Sequence, residues 1–235
     1  MTGPARRAEP DPAGPPPPRH LEGDGHTYIG PMTYAEYRRM DEASDLPLEY
    51  VGGVVYAMSG GTQAHALVCV NIAARLRERA RGSGCRAFSQ GFKVRTADGS
   101  EYVPDVVMAC GPHPPHGARY TEAPCLVVEV LSPSTTRTDL IEKRAAYQEI
   151  PTVGAYLIVE AEWRGVHRHW RDDSGGWRSE QFVGDGVIPL PCPPDAVLTL
   201  ADVYEDLDLP ATPPPPPAAR LRRVYEGAPL EDAAV

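Results

Sequence analysis

Several things are scarce in this 235-residue chain, and each scarcity narrows what it can do. No run of 18 or more apolar residues occurs, so no membrane-spanning helix is expected. The early arginines Arg6 and Arg7 have no apolar stretch behind them, which argues against a secretory leader. The five cysteines (Cys69, Cys85, Cys110, Cys125, Cys192) are odd in number and show no C-x-x-C spacing. A disulfide framework or structural zinc site is therefore not expected, and a reducing cytoplasm is the expected location. Basic residues number 23 against 32 acidic ones, and the net charge of -9 argues against avid, sequence-independent nucleic-acid binding while leaving room for a local basic face. Aromatic residues are 7% of the chain, with Trp163, Trp170 and Trp177 confined to one late segment, too few for the sugar-stacking cleft of a two-carboxylate glycosidase. Lysine is scarcest, since Lys93 and Lys143 are the only two among the 23 basic residues. Lysine can lose its proton when desolvated and arginine effectively cannot, so each is a candidate for a role arginine would not fill.

The 27 prolines crowd the ends of the chain. Residues 1–26, with the run Pro15 to Pro18, read as a disordered tail of polyproline II character, and residues 211–235 read as a second Pro-rich tail. Between them, residues 27–210 are expected to form one domain. Thr33 and Glu36 spell a capping box opening a short helix. Leu48–Val51 and Val54–Met58 flank Gly52-Gly53 as a tight hairpin. Thr62 to Arg81 reads as a helix with His65, Cys69, Ile72 and Leu76 on one face and Gly82 as its stop. Strands are expected near 86–95, 102–109, 125–131 and 156–159, a helix over 138–149, and a hairpin of 165–171 with 177–183. This order is mixed α/β, with helices around one sheet. The arginines Arg75, Arg77, Arg79, Arg81 and Arg86 point around a cylinder and read as a solvated surface.

What is abundant in the right place is carboxylate inside apolar strand. Val103-Pro104-Asp105-Val106-Val107-Met108 and Leu126-Val127-Val128-Glu129-Val130-Leu131 each carry one acid among aliphatic residues. A buried acid is costly unless paired, hydrogen-bonded or metal-bound, so two on neighbouring strands point to hard oxygen ligands for a divalent cation. The bland alternative is two isolated acids bonded to turn amides. On the following helix, Asp139, Lys143 and Tyr147 recur every fourth residue, so the helix can bring an ammonium group over Glu129. A surface Asp139–Lys143 pair is the competing reading, and Asp139 with Glu142 also fits a helix cap. Tyr147 either positions Lys143 or packs on the sheet. A lone His65 on an apolar stripe is more often a hydrogen-bonded core residue than a group at a metal cleft. His113 with His116, and His167 with His169, lack a persuasive metal-site frame.

Pro104-Asp105, then Glu129-Val130-Leu131-Ser132-Pro133-Ser134, then Asp139, Lys143 and Tyr147, then Val153-Gly154-Ala155-Tyr156-Leu157-Ile158-Val159 together resemble the bacterial Uma-two family, within the PD-(D/E)XK nuclease superfamily. The hairpin Leu48-Glu49-Tyr50-Val51-Gly52-Gly53-Val54-Val55, Met58 and His65 belong to the same resemblance. It implies a restriction-endonuclease-like core, a mixed central β-sheet flanked by helices. It implies Asp105 and Glu129 as metal ligands with the backbone carbonyl of Val130 as a third, Mg²⁺ or Mn²⁺ as the ion, and DNA as substrate. The superfamily's usual lysine, two residues after the second acid, is Leu131 here, which makes Lys143 the candidate. Glu49 would be a further acid near the metal, although a hairpin-edge glutamate is more often solvated. Cutting a duplex takes two sites, so a homodimer is expected, with the late tryptophans as its contact. The rival reading is a nuclease fold that binds without cleaving, supported by the acidic charge and Leu131.

Overall fold

The computed structural model describes residues 26–58, 60–89, 91–112, 114–131 and 139–214; the proline-rich run Pro15 to Pro18 and the segment Ser132-Pro133-Ser134 lie outside them. The chain opens with β1 (His26–Pro31), α1 (Tyr34–Ala43), β2 (Leu48–Val51), β3 (Val54–Met58) and α2 (Gln63–Arg79). It continues through β4 (Cys85–Ser89), β5 (Lys93–Arg95), β6 (Glu101–Tyr102), β7 (Val106–Cys110), β8 (Tyr120–Thr121) and β9 (Pro124–Val130). A π-helical turn (Asp139–Lys143) runs into α3 (Arg144–Gln148), followed by β10 (Ala155–Val159), β11 (Gly165–Arg171), β12 (Trp177–Val183), β13 (Val187–Pro189), β14 (Val197–Thr199) and α4 (Leu200–Val203).

The mixed α/β class holds, but the strands divide between two six-stranded sheets and a two-stranded one, β13-β14, rather than forming one sheet. The first has the order β1-β3-β2-β6-β5-β8 and the second β12-β11-β10-β9-β7-β4. The segments expected as single strands over 86–95 and 102–109 are each split between the sheets. β4 belongs to the second sheet and β5 to the first, with Gly91 between them at φ +94°, a conformation side-chain-bearing residues rarely adopt. The chain crosses back between β6 and β7, through Val103, Pro104 and Asp105.

Local sequence accounts for most boundaries. Thr33 and Glu36 complete the reciprocal cap of α1. Thr62 accepts the His65 N–H to open α2, and Val68, Ile72 and Leu76, four residues apart, are buried along it. They pack on Val106, Met108, Val128, Val130, Leu157 and Val159, one face of the second sheet. The other face, through Val107, Val127, Tyr156 and Ile158, shares a core with Tyr147 of α3 and with Val94 and Tyr102 of the first sheet. β9 and β10 run parallel and are covered on both sides, which is why they read as unbroken apolar runs. Arg75 ties α2 to the chain end through Asp202 and Glu205, both at 3.1 Å, so part of the basic cluster is structural rather than merely solvated.

Two sequence expectations are corrected here. Cys85 is bonded to Cys110 and Cys125 to Cys192, leaving Cys69 as the free cysteine. An odd count still allows two disulfides, and C-x-x-C spacing sees only neighbours along the chain, whereas these pairs are 25 and 67 residues apart: strand register sets Cys85 opposite Cys110, and the segment between β13 and β14 brings Cys192 to Cys125. The cysteine argument for a reducing compartment therefore falls. Of the tryptophans expected at a dimer contact, Trp163 is buried and so is not available for one, while Trp170 and Trp177 are half-buried against this chain's own cores with Arg168 and Arg171 over their rings. Among the described residues, no helix is long and apolar enough to cross a membrane.

Candidate active site

Asp105 occupies the crossing between the sheets, one residue before β7 begins. Strand alternation does not carry through this bend, so the face it would share with Val103 and Val107 does not dictate its direction. Its Oδ2 accepts the Val130 N–H at 2.7 Å, taking over where the β7–β9 ladder ends at Val106–Val128. Its Oδ1 lies 3.4 Å from His65 Nε2. His65 is the third residue of α2, fixed by the Thr62 cap. The hydrogen bond to Asp105, its negative charge and the accepting carbonyl of Val130 hold the imidazole above its ordinary pKa, against the opposing effect of burial. One turn further, Cys69 Sγ lies 3.6 Å from His65 Nδ1. Burial pushes its thiol well up, and the charges of Asp105 and Glu129 add to the effect.

The remaining candidates meet between the sheets. Glu129 faces the side of Val127, opposite to Val128 and Val130, and so reaches the core shared with the first sheet and α3. Lys143, ending the π-helical turn, places Nζ 3.3 Å from Glu129 Oε1 and 2.9 Å from Glu49 Oε1. Glu49 also accepts the Val103 N–H at 2.9 Å, which pins the crossing that carries Asp105. Glu49 is only 3% exposed and Glu129 7%, as against 3% for Lys143. The expectation of a solvated, hairpin-edge Glu49 is thus overturned. β2 is an inner strand, flanked by β3 and β6, so its side chains face packed neighbours. Tyr147 takes both roles weighed for it: its hydroxyl donates to Glu129 Oε1 at 3.0 Å, while its ring packs against Tyr102 and Tyr156. Burial and the nearby Glu129 and Glu49 charges hold this phenol well above its usual pKa, so it stays a donor.

Tyr147→Phe removes that donor from a nearly buried carboxylate. The expected cost is about 2 kcal/mol, typical of a hydrogen bond to a charged group, read as a lower urea midpoint with an unchanged slope.

The donor set suits a divalent cation. Asp105 Oδ1 and the Val130 carbonyl converge on the same imidazole, and the Glu129 carboxylate is close enough to raise the Cys69 thiol. Carboxylate and carbonyl oxygens with one imidazole match the preference of Mg²⁺ or Mn²⁺, the nitrogen favouring the latter. His65 Nδ1 or Nε2, Cys69 Sγ and an Asp105 oxygen also come within 4.8 Å of one another. Cys69 was not singled out from sequence as a site residue, although its place four residues after His65 on a helix was a usable signal. Among the other sequence candidates, the side chain of Asp139 and all of His113 lie outside the described residues. His116 is exposed, and His167 pairs with Glu160 and Gln181. Lys93, the other lysine, is buried away from this site, bonded to Asp41 and Tyr37 with Glu101 nearby.

The model of the Uma2 family, described as "Putative restriction endonuclease", matches residues 34–202. The "Uncharacterized protein slr1290" of Synechocystis sp. (strain ATCC 27184 / PCC 6803 / Kazusa) is 31% identical over 143 residues, which is 60% of this chain and 75% of the cyanobacterial one. Among solved structures, a putative nuclease belonging to DUF820 from Anabaena variabilis ATCC 29413 superposes with a TM-score of 0.61 at 17% identity, over 74% of this chain and 98% of that one. That likeness establishes a shared fold.

Proposed function

The chain belongs to the Uma2 family, and from that premise we propose that it is a metal-dependent endonuclease hydrolysing DNA phosphodiester bonds. The observation that carries the reading is that Asp105 accepts the Val130 N–H at one end of β7 and β9, next in sequence to Glu129, whose carboxylate has Lys143 3.3 Å away. A Mg²⁺ or Mn²⁺ ion held by Asp105, Glu129 and the Val130 carbonyl would polarise the phosphate and lower the pKa of a bound water.

The protein's own residues supply the rest. Asp105 is held in place twice, by the Val130 N–H and by His65, so its carboxylate needs little reorganisation to act. Lys143 places its amino group beside Glu129, where as an ammonium it would offset the negative charge that builds on phosphate as water adds and the P–O bond to the departing sugar oxygen breaks. Tyr147 orients Glu129 through the same oxygen that faces Lys143. Glu49 positions Lys143 and, through Val103, the Asp105 crossing.

Purified protein is expected to nick supercoiled plasmid with Mg²⁺ or Mn²⁺ and to stop when EDTA removes the ion. Nicking that persists in EDTA overturns metal dependence. A homodimer bringing two such sites to one duplex, acting in the cytoplasm where the DNA lies, completes the proposal. A monomeric mass at micromolar concentration removes the dimer.

One observation favours a second reading, a nuclease fold that binds without cutting. Leu131 stands at the superfamily's lysine position, and Lys143 is 3% exposed and shared between two carboxylates. Metal-independent DNA binding without nicking would decide for it.

A further inference from the structure

At the other end of the same strands, four of the five cysteines meet. β7 and β9 are antiparallel, so Cys110 closing β7 and Cys125 near the start of β9 lie at the end opposite to Asp105 and Glu129. Four residues of extended strand separate Cys125 from Glu129, roughly 13 Å. β4 pairs with β7 so that Cys85 stands directly opposite Cys110. Cys192 arrives from the segment between β13 and β14. The two disulfides touch: Cys110 Sγ is 3.5 Å from Cys125 Sγ, and the sulfurs of Cys110, Cys125 and Cys192 all lie within 4.8 Å of one another. Cys85 is bonded to the first of them.

We propose that Cys85, Cys110, Cys125 and Cys192 form a redox-dependent Zn²⁺ site: two disulfides when oxidised, a tetrathiolate zinc centre when reduced. Zinc holds four thiolates tetrahedrally at ~2.3 Å, which places neighbouring sulfurs about 3.8 Å apart, close to the spacing between the two disulfides here. Three of the four sulfurs, those of Cys110, Cys125 and Cys192, thus already lie near this spacing, and Cys85 is bonded to one of them. Each disulfide takes two electrons and two protons from a dithiol reductant, which leaves as its own disulfide. Zn²⁺ then displaces four thiol protons to solvent and forms four Zn–S bonds. Cys85 and Cys192 are buried and all four border the core against α2, a setting that disfavours four bare thiolates and favours thiolates neutralised by a cation.

This device links three strands and the β13–β14 segment in either redox state. The four cysteines converge with no C-x-x-C motif because β4, β7 and β9 are neighbours in one sheet and the β13–β14 segment reaches Cys125. The proposal is independent of the nuclease reading, because its site lies at the far end of the sheet and its readouts are not cleavage.

The test uses the full chain with Cys69→Ser, so that every remaining thiol belongs to the cluster. Protein reduced anaerobically with a phosphine and titrated with Co²⁺ is expected to bind one ion with tetrahedral ligand-field bands and intense thiolate-to-cobalt charge transfer, displaced by one equivalent of Zn²⁺. Zinc is expected to protect all four thiols from alkylation, and a chelator to expose them, as read by intact mass. Cys110→Ser/Cys125→Ser is expected to lose at least half of the charge-transfer intensity, and the protection assay on the parent needs no such variant. Reduced protein that shows neither charge transfer nor protection overturns the site, as does reduced protein that unfolds with Zn²⁺ present. Metal-dependent nicking by the wild-type chain, beside a cluster that binds nothing, would sink this proposal alone.

Discussion

Lys143→Met is expected to lower stability by about 3–5 kcal/mol, the range for removing one partner of a buried ion pair. Methionine nearly preserves volume and apolar stem, so the loss is electrostatic: Glu49 and Glu129, 3% and 7% exposed, no longer share an ammonium. For a chain of this size each kcal/mol is ~2–4 °C, so the melting temperature should fall by roughly 10 °C. Adding Glu49→Gln should recover a large part of that fall, because one of the facing charges is gone. The two single effects should not add, as expected of groups in direct contact. Mn²⁺ should raise the melting temperature of Lys143→Met more than that of the parent, since a cation on Glu129 takes over the missing charge. A melting temperature unchanged by Lys143→Met would show that the ammonium does not hold this cluster together. Loss of nicking is expected alongside, but the thermal data separate the lysine's structural part from its catalytic one.

Asp105→Asn is expected to cut metal-dependent nicking at least about a thousandfold while leaving the fold nearly intact. Asparagine can still accept the Val130 N–H through its carbonyl, the bond now made at 2.7 Å, so the crossing between sheets stays anchored. What disappears is the charge. A ligand whose ion supplies several kcal/mol of transition-state stabilisation should carry an effect near 4 kcal/mol, or three powers of ten in rate. Asp105→Ala should lose activity equally but also cost about 1–3 kcal/mol of stability, because it leaves the Val130 amide without its acceptor. Wild-type nicking by Asp105→Asn would exclude this carboxylate as a metal ligand.

Local structure was legible where neighbours along the chain decide it. The Thr33–Glu36 cap, the Gly52-Gly53 hairpin, the Thr62 start of α2 and the 165–183 hairpin all follow from capping, turn chemistry and periodicity. The candidate site was legible for a related reason. An acid inside an aliphatic run is anomalous by itself, and a single lysine on a helix stripe stands out in an arginine-rich chain. Leu131 at the usual lysine position directed attention to Lys143.

The sequence by itself determined the mixed α/β class, the elements set by capping, turn and periodicity signals, and which carboxylates and lysine were candidates for chemistry, because those depend on residue type and short spacing. Tertiary structure alone decided the division into two sheets, the burial of Glu49 and its pairing with Lys143, the turn of Asp105 toward His65, and the meeting of four cysteines. Each depends on which strands become neighbours and in what register, a choice made by long-range packing. The same packing sets the cost of burying a charge: with β2 flanked by β3 and β6, Glu49 is buried and pairs with Lys143.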